Sequence, residues 1–194
     1  MTMKRRIGLL LVAIGSQTLL AGCGSGPQPQ RYVLPAPPVH SSANAGDRRI
    51  VITRVQLPAY ARNDSISTLQ PDLTISESRD SHWASPPVES VSTVLARHIE
   101  ETTHAVVALR PVSTRFDASA RVAVVFDTFV RLPSNAAFVE GQFSVETTSG
   151  TAVQRFSFEE AADGLGTAGY MGATSKGLAQ VARLIAEAMK SDQH

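Results

Sequence analysis

The stretch from 121 to 147, RVAVVFDTFVRLPSNAAFVEGQFSVET, decides the fold. Apolar side chains recur at every second position in both of its halves, as they do in a strand with one buried face. Pro133, Ser134 and Asn135 form a connection short enough for a hairpin. The stretch therefore predicts two long antiparallel strands. The positions on the shared face are Val122, Val124, Phe126, Thr128 and Val130 in the first half and Val139, Gly141, Phe143 and Val145 in the second.

The segments on either side add further strands and two helices. Residues 152–159 alternate in the same way and predict a third strand. Upstream, residues 49–57 predict a strand whose buried face shifts near Arg54, and residues 64–69, 73–76 and 105–109 predict shorter strands. A helical stripe follows Ser85, which we expect to cap the helix, and a second stripe ends near Lys190. The stripes consist of Val88, Val91, Leu95 and Ile99, and of Leu178, Val181, Leu184, Ile185 and Ala188.

These elements together predict the fold class, α/β and more closely α+β-like. We expect a single domain over 48–194, with a mostly antiparallel or mixed sheet of about six to seven strands packed by two main helices. The sequence contains no internal repeat of the length typical of solenoid proteins.

The N-terminus has the layout of a bacterial export signal. Three basic residues at 4–6 precede an uncharged, mostly apolar run over 7–21, which is shorter than the roughly 20 apolar residues of a membrane-spanning helix. The run ends in a motif that resembles the lipobox of bacterial lipoproteins, formed by Leu20, Ala21, Gly22 and Cys23. We therefore expect residues 1–22 to be a signal peptide, removed before Cys23. Diacylglycerol on the thiol and an acyl chain such as palmitate on the freed amine would then hold the mature chain in a membrane.

Residues 23–47 predict a tether between this anchor and the domain. The segment is rich in proline, serine and glycine, a composition typical of extended linkers. Gly24 stands where enterobacterial sorting to the inner membrane uses aspartate, which favours the outer membrane. The stretch from Arg31 to Pro35 places Tyr32 and Leu34 in otherwise polar surroundings, so we expect it to dock on the domain or on a partner.

Composition argues against several classes of function. The formal net charge is only +1 and no basic stretch is interleaved with aromatic residues, which argues against nucleic-acid binding. Cys23 is the only cysteine, so an internal disulfide, a cysteine-based zinc site and a thiol nucleophile elsewhere are excluded. The five histidines lack the spacing of helical metal ligands, and we expect no metal and no cofactor beyond the lipid.

Two motifs bear on nucleotide binding and on hydrolysis. The run from Gly164 to Gly169 matches G-x-G-x-x-G before a helix, but the second strand of a dinucleotide-binding unit does not follow it. It is better interpreted as a flexible start of the last helix. The G-x-S-x-G motif of hydrolases is absent, although an unfamiliar arrangement involving Asp64, His82 or His98 stays open.

The order of the short motifs resembles one known family. After the lipobox come Tyr32-x-Leu34-Pro35, a strand ending in Leu57-Pro58-x-Tyr60, and Trp83-Ala84-Ser85-Pro86 before a helix. This order, continued by Gly169-Tyr170-Met171, resembles the PqiC family of ABC-type transport auxiliary lipoproteins. Ala61 and Pro87 depart from it, since leucine is common at both positions.

The resemblance implies a periplasm-facing outer-membrane lipoprotein that is not an enzyme. Its partners would be MCE-domain proteins, which carry phospholipid or other hydrophobic cargo between membranes and support membrane integrity, and copies of the chain would assemble into homo-oligomers. We interpret Tyr32, Leu34, Tyr60 and Trp83 as a candidate partner interface, the alternative for Trp83 being that it covers the start of the first helix. Two other functions stay open: an outer-membrane assembly or secretion lipoprotein without a transport role, and a periplasmic hydrolase.

Overall fold

The computed structural model describes residues 28–38, 48–109 and 116–191. The expected signal peptide, Cys23 and most of the expected tether lie outside these residues. The strands are β1 (Gln30–Tyr32), β2 (Arg49–Gln56), β3 (Ser65–Leu69), β4 (Ile75–Trp83), β5 (Val106–Ala108), β6 (Ala120–Arg131), β7 (Ala137–Thr147) and β8 (Thr151–Glu160). The helices are α1 (Pro87–Thr103) and α2 (Gly166–Ser191), and a 3₁₀ turn spans Ala59–Arg62.

The long strand β6 organises a mixed sheet of eight strands. On one edge it pairs antiparallel with β7, which pairs antiparallel with β8. On its other edge it pairs in parallel first with β2 and then, at Arg131, with β3. Beyond β2 lies β5, and beyond β3 lie β4 and then β1. The expected single domain with two packing helices is confirmed, with eight strands rather than six or seven.

The helices lie together on one face of the sheet. The helix α1 packs against β2 and β5, whereas α2 packs against β7 and β8, and the two helices contact each other. The predicted stripes form much of their buried surface, including Val91, Leu95 and Ile99 on α1 and Leu178, Val181 and Ile185 on α2. They meet the inward-facing side chains Val122, Val124, Phe126, Val139, Phe143 and Val145 of the sheet.

The structure corrects three details of the predictions. A register shift between Phe126 and Thr128 moves Phe129, rather than Thr128, onto the core face of β6. The strand predicted at 73–76 begins at Ile75 and continues to Trp83, because β1 pairs with Ser81–Trp83 and Ser65 of β3 pairs with His82. Ser85 does not cap α1; Pro86 occupies the N-cap position and no side chain bonds there. The predicted face shift near Arg54 is confirmed by a register shift between Ile52 and Arg54.

The glycines from 164 to 169 form a close-packed turn before α2. Gly166 has a φ of +65°, in the left-handed region that glycine tolerates best. A side chain at Gly169 would collide with the backbone carbonyl of Gly164. The motif is therefore explained by backbone packing, without a bound phosphate. In the part of the chain that is described, neither helix is long and apolar enough to cross a bilayer.

Candidate functional site: the docked N-terminal segment

The segment 30–34, expected to dock on the domain or on a partner, docks on the domain. Strand β1 runs parallel to the end of β4, with Gln30 opposite Ser81 and Tyr32 opposite Trp83. The Ala84 N–H donates to the Tyr32 carbonyl at 2.8 Å, and the Arg31 guanidinium donates to the Trp83 carbonyl at 3.3 Å. The sheet thus extends into the region that composition assigns to the tether.

Apolar contacts hold the same segment in place. Leu34 is 4% exposed and Trp83 is 3% exposed, and both belong to the main core. The Trp83 ring lies 6.3 Å from the ring of Phe129, centre to centre. As described, these two side chains offer almost no surface to a partner. The half-buried Tyr32 and Tyr60 keep exposed surface, so the partner-interface prediction rests on them and stays a prediction.

Tyr60 fills the interruption between β2 and β3 on the edge of β6. Its hydroxyl accepts a hydrogen bond from the Phe129 N–H at 3.3 Å, in the place where a neighbouring strand would supply a carbonyl. The hydroxyl of Ser67 donates to the Tyr60 carbonyl at 2.9 Å, which fixes the 3₁₀ turn. Burial raises the pKa of Tyr60, and the hydrogen bond from Phe129 offsets part of that rise. Tyr60 therefore acts within the fold as a neutral hydrogen-bonding group.

Docking of β1 limits how far the domain can stand from the anchor expected on Cys23. Only seven positions separate Cys23 from Gln30. A fully extended chain spans up to about 3.6 Å per residue, so this stretch reaches at most about 25 Å. A free tether over 23–47 would reach roughly three times as far.

A groove of about 510 Å³ lies between β2 and the first half of α1. Strand β5 pairs only with Arg49–Val51, so the rest of that edge of β2 borders the groove. Its lining combines Val55, Val88 and Leu109 with Arg54 and Glu89. The part of the β2 edge that β5 leaves uncovered is the kind of surface to which an extended chain segment can add as a strand.

One set of contacts resembles the triad of Ser-His-acid hydrolases: His98 lies between Ser175 and Glu101. The Nε2 atom of His98 lies 3.1 Å from the Ser175 hydroxyl, and its Nδ1 atom lies 3.6 Å from a carboxylate oxygen of Glu101. Burial lowers the pKa of His98, while the nearby Glu101 partly raises it. Ser175 lies inside α2, where its own and the following backbone N–H groups are bonded within the helix and cannot form an oxyanion hole. The arrangement is a contact between helices.

His82 and Asp64, the other candidates for a hydrolase, take no part in the contact between Ser175 and His98. His82 lies on β4, where its Nε2 atom is 3.1 Å from the Arg79 carbonyl, and Asp64 precedes β3. Among the described residues, no group of three or more His, Asp or Glu side chains could hold a metal ion. Ser175 was missed in the sequence because its contact with His98 spans 77 positions and follows no local pattern.

Comparisons with known proteins agree with this fold. The family described as ABC-type transport auxiliary lipoprotein component matches residues 32–186. A crystal structure of an uncharacterized protein superposes with a TM-score of 0.70 at 18% identity, covering 84% of this chain and 99% of that one. A Xanthomonas campestris protein assigned to the DUF330 family superposes with a TM-score of 0.60 at 17% identity, covering 75% of this chain and 86% of that one.

A looser likeness and one negative result complete the comparison. A PelC dodecamer from Paraburkholderia phytofirmans gives a TM-score of 0.39 at 13% identity, covering 79% of this chain and 95% of that chain. No assembly is inferred from so loose a likeness. No curated protein matches the chain.

Proposed function

The chain belongs to the ABC-type transport auxiliary lipoprotein component family, and from this we propose that it is the outer-membrane lipoprotein subunit of an MCE-type lipid transport system. Cys23 carries the lipid, the domain faces the periplasm, and an MCE-domain protein of the transporter is its partner. The cargo is phospholipid or another hydrophobic molecule. The role is to hold the transporter at the membrane, without catalysis and without a cofactor.

The observation that carries this proposal is the docking of β1 on β4. The family implies a lipid anchor, and the sequence that resembles a lipobox supports Cys23 as its site. A lipid anchor with two or three acyl chains holds a protein stably in a membrane. Because Gln30 is held on the sheet and lies seven positions from Cys23, the anchor would keep the domain within about 25 Å of the lipid. A short upper limit on this distance is useful to a subunit that positions a transporter end.

The non-catalytic role is supported by the site itself. The family is one of auxiliary transport components. The Ser175–His98 contact lacks an oxyanion hole, and its histidine is largely buried between two helices. This arrangement favours a structural link over hydrolysis.

Co-purification from membranes tests the partner and the anchor together. The tagged full chain, solubilised in mild detergent from its native host, should recover an MCE-domain protein and sediment with outer-membrane fractions. The mass of the isolated complex should show more than one copy of the chain. Recovery of outer-membrane assembly or secretion proteins, with MCE-domain protein absent, would contradict the transport role.

Cys23→Ser is the matched control for the anchor. This variant should fold normally, because Cys23 precedes every described element, but it should leave the membrane fractions. An unaltered membrane distribution of the Cys23→Ser protein would show that lipid on Cys23 is not what holds it.

A further inference from the structure

Three loops lie together at one end of the sheet. Thr68 pairs in parallel with Arg131, Arg131 pairs with Ala137, and Ala137 pairs with Glu160. The turn 70–74, the turn 132–136 and the loop 161–165 therefore leave the sheet at the same level. We call this the hairpin end. Strands lie about 4.8 Å apart, so the first and last of these loops are separated by roughly 15 Å.

The hairpin end carries the two most exposed large apolar side chains in the described part of the chain. Leu165 is 97% exposed and Leu73 is 82% exposed, ahead of Val33 and Val153. A single exposed leucine is ordinary on a soluble protein. Two such leucines at the same end, each the most exposed large apolar side chain of its loop, are typical of a surface that contacts a partner.

The backbone at Leu73 shows that the fold does not favour a leucine there. Leu73 has a φ of +65°, a left-handed conformation that a branched side chain adopts at a cost and that glycine or asparagine adopts readily. The turn is nevertheless well defined, because Leu73 N–H donates to the Gln70 carbonyl at 2.9 Å and Thr74 N–H donates to Asp72 at 3.1 Å. The leucine is thus held outward on an ordered turn.

The loop that carries Leu165 is ordered as well. The Asn135 amide donates to the Gly164 carbonyl at 3.1 Å, which ties the turn 132–136 to the loop 161–165. Asp163 forms an ion pair with Lys176, and Asp72 is bonded by Thr74. Both acidic groups of these loops are therefore engaged by neighbours within the chain.

The direction of β1 allows the anchor to reach the same end. Because β1 runs parallel to β4, Gln30 is the residue of β1 that lies nearest the start of β4, where the turn 70–74 lies. Gln30 is opposite Ser81, six positions after Ile75, and Cys23 is seven positions before Gln30. The reach of that stretch, about 25 Å, matches the roughly 20 Å from Ser81 back to Ile75 along the strand.

We infer that the hairpin end rests on the lipid surface, with Leu73 and Leu165 inserted at the boundary between headgroups and acyl chains. This inference rests on the lipid anchor of the proposed function and adds the orientation of the domain. The lipid on Cys23 attaches the chain near β1 and β4, and the two leucines attach the loops of the hairpin end. The strands then stand away from the membrane, and the opposite end, where β2 and β6 begin, points into the periplasm.

The sole cysteine makes a direct test practical. Lipidation consumes the thiol of Cys23, so Leu73→Cys, Leu165→Cys and the control Val153→Cys each offer one site for an environment-sensitive dye. Val153 is 67% exposed and lies near the other end of β8. In vesicles holding the full lipidated chain, we expect a lipid-attached quencher to quench the dye at 73 and 165 several-fold more than at 153.

Each other outcome contradicts the inference in a distinguishable way. A protein that floats with the vesicles while the dye at 73 or 165 behaves like that at 153 overturns the orientation and leaves the anchor intact. A protein that does not float overturns the anchor and the orientation together. Shielding that appears only when transporter protein is added assigns the leucines to a protein interface.

A second variant separates a membrane role from a folding role. Leu73→Asn should unfold at the same or a higher denaturant concentration than the parent chain, since asparagine suits the left-handed backbone better. The same change should reduce quenching of a dye at 165. A loss of stability in Leu73→Asn would show that the leucine serves the fold, which would contradict the inference.

Discussion

The two edges of β6 are built in different ways. On one edge, β7 pairs with β6 from Ala120 to Arg131, and the two strands are joined by a short turn. On the other edge, β2 covers residues 120–125, β3 touches only Arg131, and the Tyr60 hydroxyl bonds the backbone between them. One edge is continuous and made from neighbouring sequence, whereas the other is interrupted and made from distant segments.

The two edges of β6 contribute differently to the stability of the domain and to the docking of the N-terminal segment. The continuous edge carries the aromatic cluster of Phe126, Phe143 and Phe156, with ring centres 5.4 to 6.5 Å apart. The interrupted edge carries β3, β4 and, through them, the N-terminal segment that leads to Cys23. We therefore expect damage to the continuous edge to unfold the domain and damage to the interrupted edge to release the N-terminal segment.

Phe126→Ala should have the largest effect. Phe126 is buried and its ring meets those of Phe129 and Phe156 at 5.4 Å. Removing it leaves a cavity, which lowers the free energy of unfolding by about 3–5 kcal/mol. Urea denaturation measures this loss. Phe138→Ala, at a half-buried position on the opposite face, is the control and should cost clearly less; equal losses would show that the buried aromatic cluster contributes no more to stability than a half-buried ring on the other face.

Leu34→Ala should release the N-terminal segment and leave the rest of the sheet folded. Leu34 is buried in the core but β1 adds only Gln30–Tyr32 to the sheet. We expect a local loss of about 2–3 kcal/mol. Trypsin should then cut after Arg31 faster, with little change in circular dichroism. The exposed neighbour gives the control Val33→Ala, which should be cut like the parent chain; global unfolding of Leu34→Ala would show that the segment is part of the cooperative core.

Tyr60→Phe should weaken the junction between the two halves of the interrupted edge. The change leaves the Phe129 N–H without its acceptor, which costs about 1–2 kcal/mol in a buried position. Tyr32→Phe is the control, because among the described residues the Tyr32 hydroxyl donates an exposed hydrogen bond to Gln30, two positions away. Equal denaturation midpoints for Tyr60→Phe and Tyr32→Phe would contradict the role assigned to Tyr60.

The same substitution has a signature at high pH. Burial raises the pKa of Tyr60 above its usual value of 10.0, so the unfolded chain loses this proton first. The contribution of the protonated Tyr60 to the free energy of unfolding is fully present below pH 10, and it is lost as the pH rises through the pKa of Tyr60 in the folded chain. Tyr60→Phe should reduce this alkaline loss. Part of it should persist, because burial also raises the pKa of Tyr170 to about 12.

The continuous edge is also the part that the sequence predicts well. Residues 121–159 form consecutive strands with short turns, so local alternation is sufficient. The prediction from local alternation fails at Phe126–Phe129, because the register shift there moves Phe129 onto the core face. The sequence Phe-Asp-Thr-Phe allows either Thr128 or Phe129 to follow Phe126 on that face. The shift at Arg54 was predictable because apolar residues on both sides of it mark the change of face.

The interrupted edge is less predictable for a physical reason. Most of β4 is exposed or half-buried on both faces, so Ser76–Asp80 shows no apolar alternation. Its strand conformation comes from pairing with β3 and β1, which are distant in part. Tyr32, Leu34, Tyr60 and Trp83 were identified in the sequence, but their mutual contacts depend on this pairing. A partner interface and a buried docking site look alike in sequence, because both consist of large apolar side chains in polar surroundings.

The smallest effect concerns His98, which links the helix over the interrupted edge to the helix over the continuous one. His98 on α1 contacts Ser175 on α2, with Glu101 on its own helix and Arg183 of α2 as the nearby charged groups. Burial lowers the pKa of His98, so below pH 6.5 the unfolded chain takes up the proton more readily than the folded one. The contribution of the neutral His98 to the free energy of unfolding is present above pH 6.5, and it decreases as the pH falls below that value. His98→Gln should flatten this acidic decline in unfolding experiments, whereas Ser175→Ala should lower stability at every pH by about 1 kcal/mol. A parent chain equally stable at pH 7 and pH 5 would show that the two helices are not held together through a neutral histidine.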